Sequence, residues 1–169
     1  MVSKKLEKAL NKQINAEFWS AYLYLSMSMH FANNGLPGIA NWFKIQFQEE
    51  QEHALKIANY LISKGSRVEL EPIEKVETAW KSPLAAFEDT LKHEQQVTGL
   101  INDLVALARK ENDFATENML LWFVNEQIEE EETAQGLIDT LKLIGDNGFG
   151  LYTIDKELGA RVHVPIESV

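Results

Sequence analysis

Four stretches of this chain carry an apolar stripe at helical spacing, and each stripe is broken at its centre by a carboxylate. Few folds accept that pattern. In residues 37–64 the stripe reads Ile39, Phe43, Gln46, Glu50, His53, Ile57 and Tyr60. Glu50 and His53 stand one turn apart on the same face. A buried carboxylate without a partner is strongly destabilising, so a single pair of this kind reads most simply as a core ion pair. The other stretches repeat the arrangement at the same height. They read Leu6, Leu10, Gln13, Glu17, Ser20, Tyr24, Met27, Phe31; Leu84, Phe87, Leu91, Glu94, Thr98, Ile101, Val105, Ala108; and Leu120, Phe123, Gln127, Glu130, Ala134, Leu137, Leu141, Ile144.

Local signals bound these helices at about 3–32, 37–64, 83–111 and 114–144. Gly35 and Pro37 punctuate a short turn, Ser82-Pro83 is a cap followed by a first-turn proline, and Asn112-Asp113 supplies the next break. A short fifth helix is expected over 149–158, after Gly145 and Gly148. Residues 65–82 lack a helical period and contain Pro72. An extended segment of that length can run back along a helix of about 28 residues, roughly 42 Å long, so that the third helix starts beside the first end of the second. Four stripes with one long crossover between the second and third describe an all-α four-helix bundle, here a single domain over 1–169. In the first helix Phe18, Trp19, Tyr22, Leu23, Leu25 and Met29 lie off the stripe. Such a helix is covered on more than one side, and another subunit is expected on its outer face. Gly136 marks an expected bend in the fourth helix.

With 16 basic and 26 acidic residues the net charge is −10, which argues against nucleic acid or an anionic membrane as partner. The chain has no cysteine, so disulfides, iron–sulfur clusters and thiolate zinc sites are excluded. Any metal must be held by oxygen and imidazole, a ligand set that suits iron or manganese. The N-terminus lacks the pattern of a signal peptide, and no apolar run approaches the ~18 residues of a membrane span. A cytoplasmic location is expected.

The bundle brings Glu17, Glu50 with His53, Glu94, and Gln127 with Glu130 to one level. Four carboxylates in one core repel each other and lose hydration, and two divalent cations balance their charge. The competing reading leaves each Glu at a stripe edge, reaching solvent. Four at matching height, with His53 at ligand spacing, favour the dinuclear site. Di-iron carboxylate bundles use one Glu from each of two helices and Glu-x-x-His from each of the others. Here Glu17, Glu94 and Glu50-x-x-His53 are present, but Gln127-Ile128-Glu129-Glu130 stands where a second Glu-x-x-His would be.

The segments Gln13-Ile14-Asn15-Ala16-Glu17, Tyr22-Leu23-Tyr24-Leu25-Ser26, Gln48-Glu49-Glu50-Gln51-Glu52-His53-Ala54, Ser82-Pro83-Leu84-Ala85-Ala86-Phe87, Asp113-Phe114-Ala115-Thr116 and Glu126-Gln127-Ile128-Glu129-Glu130-Glu131 resemble, in order and spacing, the non-haem ferritins of bacteria and archaea. The resemblance covers essentially the whole chain. It implies that Glu17, Glu50 and His53 bind one iron with Gln127 close by, that Glu50, Glu94 and Glu130 bind a second with Glu50 as bridge, and that Tyr24 supports the pair. It also implies a third iron position at Glu49, Glu126, Glu129 and Glu130, although Glu129-Glu130-Glu131-Glu132 equally reads as a solvated charge run. Trp122 is placed to donate an electron or simply to pack. His30, His93 and His163 have no partner at ligand spacing.

Bacterioferritin is similar too, but its haem-ligating Met falls at Gln51 here, so no haem is expected. Rubrerythrin needs cysteines that this chain lacks. The implied function is iron storage and detoxification: ferroxidase oxidation of Fe2+ by dioxygen or hydrogen peroxide, with ferric mineral deposited in a hollow shell of twenty-four subunits. The alternatives are a di-iron oxidase or peroxidase that keeps its two metals as a fixed cofactor, and a structural bundle with incidental carboxylates.

Overall fold

The computed structural model describes residues 2–166 of the chain; Met1 and 167–169 lie outside the described residues. All regular structure in the described residues is helical: α1 (Lys4–Asn33), α2 (Pro37–Ser63), α3 (Pro83–Lys110), α4 (Phe114–Ile144) and α5 (Gly148–Gly159). No helix among them is long and apolar enough to cross a membrane.

Helix starts follow from side-chain caps. Ser3 accepts from the Leu6 N–H at 3.1 Å, Ser82 from Ala85 at 3.1 Å, Asp113 from Thr116 at 3.0 Å and Asn147 from Gly150 at 2.9 Å. Each satisfies an N–H that the first helical turn leaves unpaired. The α1–α2 turn needs Gly35, whose φ of +75° lies in the left-handed region.

The start of α2 is different, because its N-cap residue is Leu36, which has no side-chain acceptor. Asp155 of α5 supplies one from a distance, its carboxylate accepting from the Ile39 N–H at 2.8 Å. That contact requires α5 to lie against the α2 backbone. Gly38 makes room: a Cβ built there would stand 1.6 Å from the Asp155 carbonyl oxygen.

The crossover of residues 64–82 lies along α1. Asn11 donates to the Arg67 carbonyl and accepts from the Glu69 N–H, Asn15 donates to the Glu71 and Pro72 carbonyls, and Ser26 donates to the Glu77 carbonyl. Further along, Val76 and Trp80 are buried with Leu23, Met27 and Phe31. Of these, Leu23 lies off the α1 stripe, on the face for which another subunit is expected. Tyr22 and Met29 stay 49% and 54% exposed. Gly136 does not interrupt α4, and a Cβ there would meet open space.

Two apolar clusters fill the bundle. One gathers Leu6, Leu10, Ile14, Ile57, Leu61, Ile101 and Phe123; the other gathers Tyr24, Met27, Phe31, Phe43, Phe87 and Ile138. Between them every long helix contributes its polar stripe residues.

Gly38→Ala should separate α5 from α2 and leave the Ile39 N–H without its acceptor, at a cost of about 1–3 kcal/mol. Thermal unfolding should show a clear drop, and Asp155→Ala a smaller one of about 1 kcal/mol. Unchanged unfolding of Gly38→Ala would mean that α5 does not sit on α2 in solution.

Candidate metal centre

The layer between the clusters is closed to solvent. Glu17 is 1% exposed, Glu50 2%, His53 1%, Glu94 1%, Gln127 4% and Glu130 8%. These values rule out stripe-edge carboxylates that reach water. Helical phase puts them there: each lies on the apolar stripe of its helix, between residues that belong to the two clusters.

Glu17, Glu50 and His53 each bring one ligand atom to within 4.8 Å of the others. His53 Nδ1 lies 3.5 Å from Glu50 Oε2, while His53 Nε2 is buried without a hydrogen-bond partner and stands 3.9 Å from Glu126 Oε1. A buried polar atom left unpaired is destabilising, and imidazole nitrogen beside carboxylate oxygen is a set of donors for a cation of intermediate hardness.

Amides and a phenol hold the carboxylates. Gln13 donates to Glu17 at 2.8 Å, Gln46 donates to Glu130 at 2.8 Å, and Gln127 donates to Glu94 Oε2 at 3.0 Å. Tyr24 donates its hydroxyl to Glu94 across the core. Burial first, and then the Glu94 and Glu50 charges, push the Tyr24 hydroxyl far up, so it stays protonated as a donor. Such neighbours fix the direction of a ligand oxygen before a metal arrives.

Burial pushes the carboxyls of Glu50, Glu94 and Glu130 above the ordinary carboxylate range. For Glu50 the charges of Glu94, Glu17 and Glu130 add to the effect; for Glu130 those of Glu94 and Glu49 do. For Glu94 the hydrogen bonds from Tyr24 and Gln127 work against it. A cation entering this layer would compete with protons for these carboxyls.

The structure places Gln127 on Glu94, at 3.2 Å from its backbone oxygen as well. Burial pushes the Glu126 carboxyl up, with the charges of Glu129 and Glu49 adding to the effect and His53 pulling against it. Glu129 itself is exposed. Trp122 stands edge-on to His53, ring centroids 5.5 Å apart, with the Lys56 ammonium 4.6 Å from its centroid.

The remaining histidines have other partners. His93 lies 2.7 Å from Ser20 Oγ and packs near Trp19 and Tyr24; burial pushes its pKa down to about 4, against the pull of Glu17. Ser20 spends its hydroxyl proton on the Ala16 carbonyl, so neutral His93 is the donor in that pair. His163 Nε2 meets Glu52 at 2.8 Å, and His30 packs on Trp80 with centroids 5.5 Å apart.

Sequence reading left Gln13 and Gln46 without roles. Both were visible as amides inside apolar stripes, one turn from a Glu. It gave no signal for Arg161, which lies beyond α5 and reaches Gln46 and Glu49.

A folded state whose carboxyls titrate high holds more protons than the unfolded chain, so metal-free stability falls as pH rises from the ordinary carboxylate range through the raised values. Glu130→Gln removes one such group and still accepts from Gln46. In chelator it should unfold later than wild type by about 1–4 kcal/mol near pH 8, with the gap closing toward pH 4, while its affinity for divalent metal falls. A variant no more stable than wild type at either pH would contradict this electrostatic picture.

A family model described as ferritin-like domain matches residues 7–144. The bacterial non-heme ferritin of Bacteroides fragilis is 47% identical over 161 residues, spanning 95% of this chain and 100% of the relative. That of Campylobacter jejuni is 44% identical over 156 residues, with 92% and 93% covered. Among solved structures, an open-pore ferritin from the hyperthermophilic archaeon Archaeoglobus fulgidus superposes with a TM-score of 0.95 at 48% identity, covering 96% of this chain and 100% of that one. An engineered closed form of the A. fulgidus ferritin gives 0.96 at 47%, with 97% and 100% covered.

Proposed function

This chain belongs to the ferritin-like domain family as a non-haem ferritin, and from that premise we propose that the buried layer is where it oxidises the iron that it stores. The observation that carries this reading is the set Glu17, Glu50 and His53, brought together in a dry layer with one imidazole nitrogen unpaired.

Iron is substrate and cargo here. Glu17, Glu50 and His53 bind one Fe2+, and Glu50, Glu94 and Glu130 bind the other. Glu50 bridges them, a role supported by its closeness to Glu17 and His53 and by the charges of Glu94 and Glu130 that act on it. Binding displaces protons from Glu50, Glu94 and Glu130, whose carboxyls burial pushes up. Each Fe2+ then gives up one electron, and dioxygen takes both and leaves with two protons as hydrogen peroxide. Tyr24 and Gln127 hold Glu94, Gln46 holds Glu130, and Gln13 holds Glu17, so little ligand motion is needed when charge develops. Fe3+ moves on past a third position at Glu49, Glu126, Glu129 and Glu130.

Ferritins store iron as a self-associated shell, and this chain associates with copies of itself. Twenty-four subunits are proposed for its shell. The exposed Tyr22 and Met29 on α1 support a neighbour at that face, beside the part that the crossover covers.

Aerobic loading with Fe2+, followed by size-exclusion chromatography with iron and protein assayed across the peaks, tests storage. Iron far above about two per chain, eluting with a very large particle, is the expected result. Iron capped near that ratio on a small oligomer would instead mark a fixed-cofactor oxidase. The bridge is tested by stopped-flow oxidation. Glu50→Ala should slow the fast phase by more than the ~10–100-fold usual for residues that only support a ligand, whereas Glu129→Ala should keep that phase and alter later turnover. Equal fast phases in wild type and Glu50→Ala would overturn the dinuclear assignment.

A further inference from the structure

Beyond α5 the chain turns back and runs along the surface of α2 as a strap. Asn41 donates to the Leu158 and Arg161 carbonyls at 3.2 and 3.0 Å, His163 Nε2 meets Glu52 at 2.8 Å, and the Ile166 N–H donates to Glu52 at 2.8 Å. Arg161 reaches inward from this strap. One terminal nitrogen donates to both Glu49 oxygens, at 3.0 and 2.8 Å, and the other donates to Gln46 Oε1 at 2.7 Å. The guanidinium lies 5.0 Å from the Trp42 ring centroid, where the ring face adds cation–π attraction.

Two consequences follow from the chemistry of these groups. A guanidinium only donates, so Gln46 must turn its oxygen to Arg161 and its NH2 to Glu130, where it donates at 2.8 Å. Arg161 thereby sets the direction of an amide that holds one of the buried carboxylates. Glu49 also has its two oxygens engaged by a cation belonging to the chain itself. Glu126 on α4 stands 3.9 Å from His53 Nε2, and the charges of Glu129 and Glu49 act on it. The pair is only partly shielded, Arg161 being 28% and Glu49 18% exposed, so an incoming divalent cation can compete for it.

We propose that Arg161 is an internal counter-cation that gates the outer carboxylate group: Glu49 joins Glu126 and Glu129 around an outgoing iron ion only when the guanidinium lets go. Arg161 is then a positioning residue. It keeps Glu49 occupied and Glu130 oriented while the buried pair fills, and it makes passage of iron outward conditional on release of the strap. No covalent step is involved, since one cation replaces another on the same carboxylate. This inference rests on the functional reading above, because it assumes that the buried pair fills first.

The test is anaerobic calorimetric titration of the assembled protein with Fe2+. Wild type should bind about two ions tightly per chain and a further one weakly. Arg161→Met removes the cation, so the weak ion should tighten by about tenfold, with the tight ions still bound; Arg161→Lys keeps a charge and should stay near wild type. Asn41→Ala loosens the strap and leaves the guanidinium, and should tighten the weak ion by a smaller factor. It also serves if Arg161→Met fails to assemble. A weak ion unchanged or weakened in both Arg161→Met and Asn41→Ala would overturn the gate while leaving the buried pair standing. Absence of tight binding in wild type would overturn the functional reading, and the gate with it.

Discussion

Mutual repulsion among carboxylates in a dry layer is the interaction on which the rest of this structure depends. Glu17, Glu50, Glu94 and Glu130 are placed where water cannot screen them, and burial pushes the carboxyls of Glu50, Glu94 and Glu130 above the ordinary range. The two apolar clusters above and below supply the stability that the layer does not. The amides of Gln13, Gln46 and Gln127 and the Tyr24 hydroxyl give the carboxylate oxygens donors. What remains unbalanced is charge and one imidazole nitrogen, and divalent cations supply what both lack. In the proposed function, activity and instability thus come from the same residues.

That division explains how the chain uses its length. Each long helix extends well to either side of the polar level, so every carboxylate is flanked by apolar turns that anchor its helix. The crossover, spanning the bundle along α1, lets α3 enter with Glu94 at the level of Glu17 and Glu50. The short fifth helix has a different task. Through Asp155 it completes the start of α2, and beyond it the chain carries Arg161 to the outer carboxylates.

Whatever repeats along one helix was legible in the sequence. The stripes, the Ser82-Pro83 start and the convergence of Glu17, Glu50, His53, Glu94 and Glu130 all follow from a period of about 3.6 residues. Contacts between segments far apart in sequence were not. Nothing near Leu36 announces that its missing cap is made by Asp155, and nothing near Arg161 announces Glu49, because each pair is joined only by tertiary packing across more than a hundred residues. The outer face of α1 shows the same limit. Its off-stripe apolar residues point to a subunit contact, and one of them, Leu23, is buried with Val76 and Trp80 of the crossover. Periodicity shows that a face is covered, and not by what. Gln127 donates to Glu94, a choice of hydrogen bond that spacing along α4 leaves open.

The most direct measurement of the central claim is anomalous diffraction at the iron edge from crystals soaked anaerobically with Fe2+. Two peaks inside each bundle are expected, one against Glu17 and His53 and the other against Glu94 and Glu130, with Glu50 contacting both. A single peak, or iron bound only to exposed carboxylates outside the bundle, would contradict a dinuclear centre built from the buried layer.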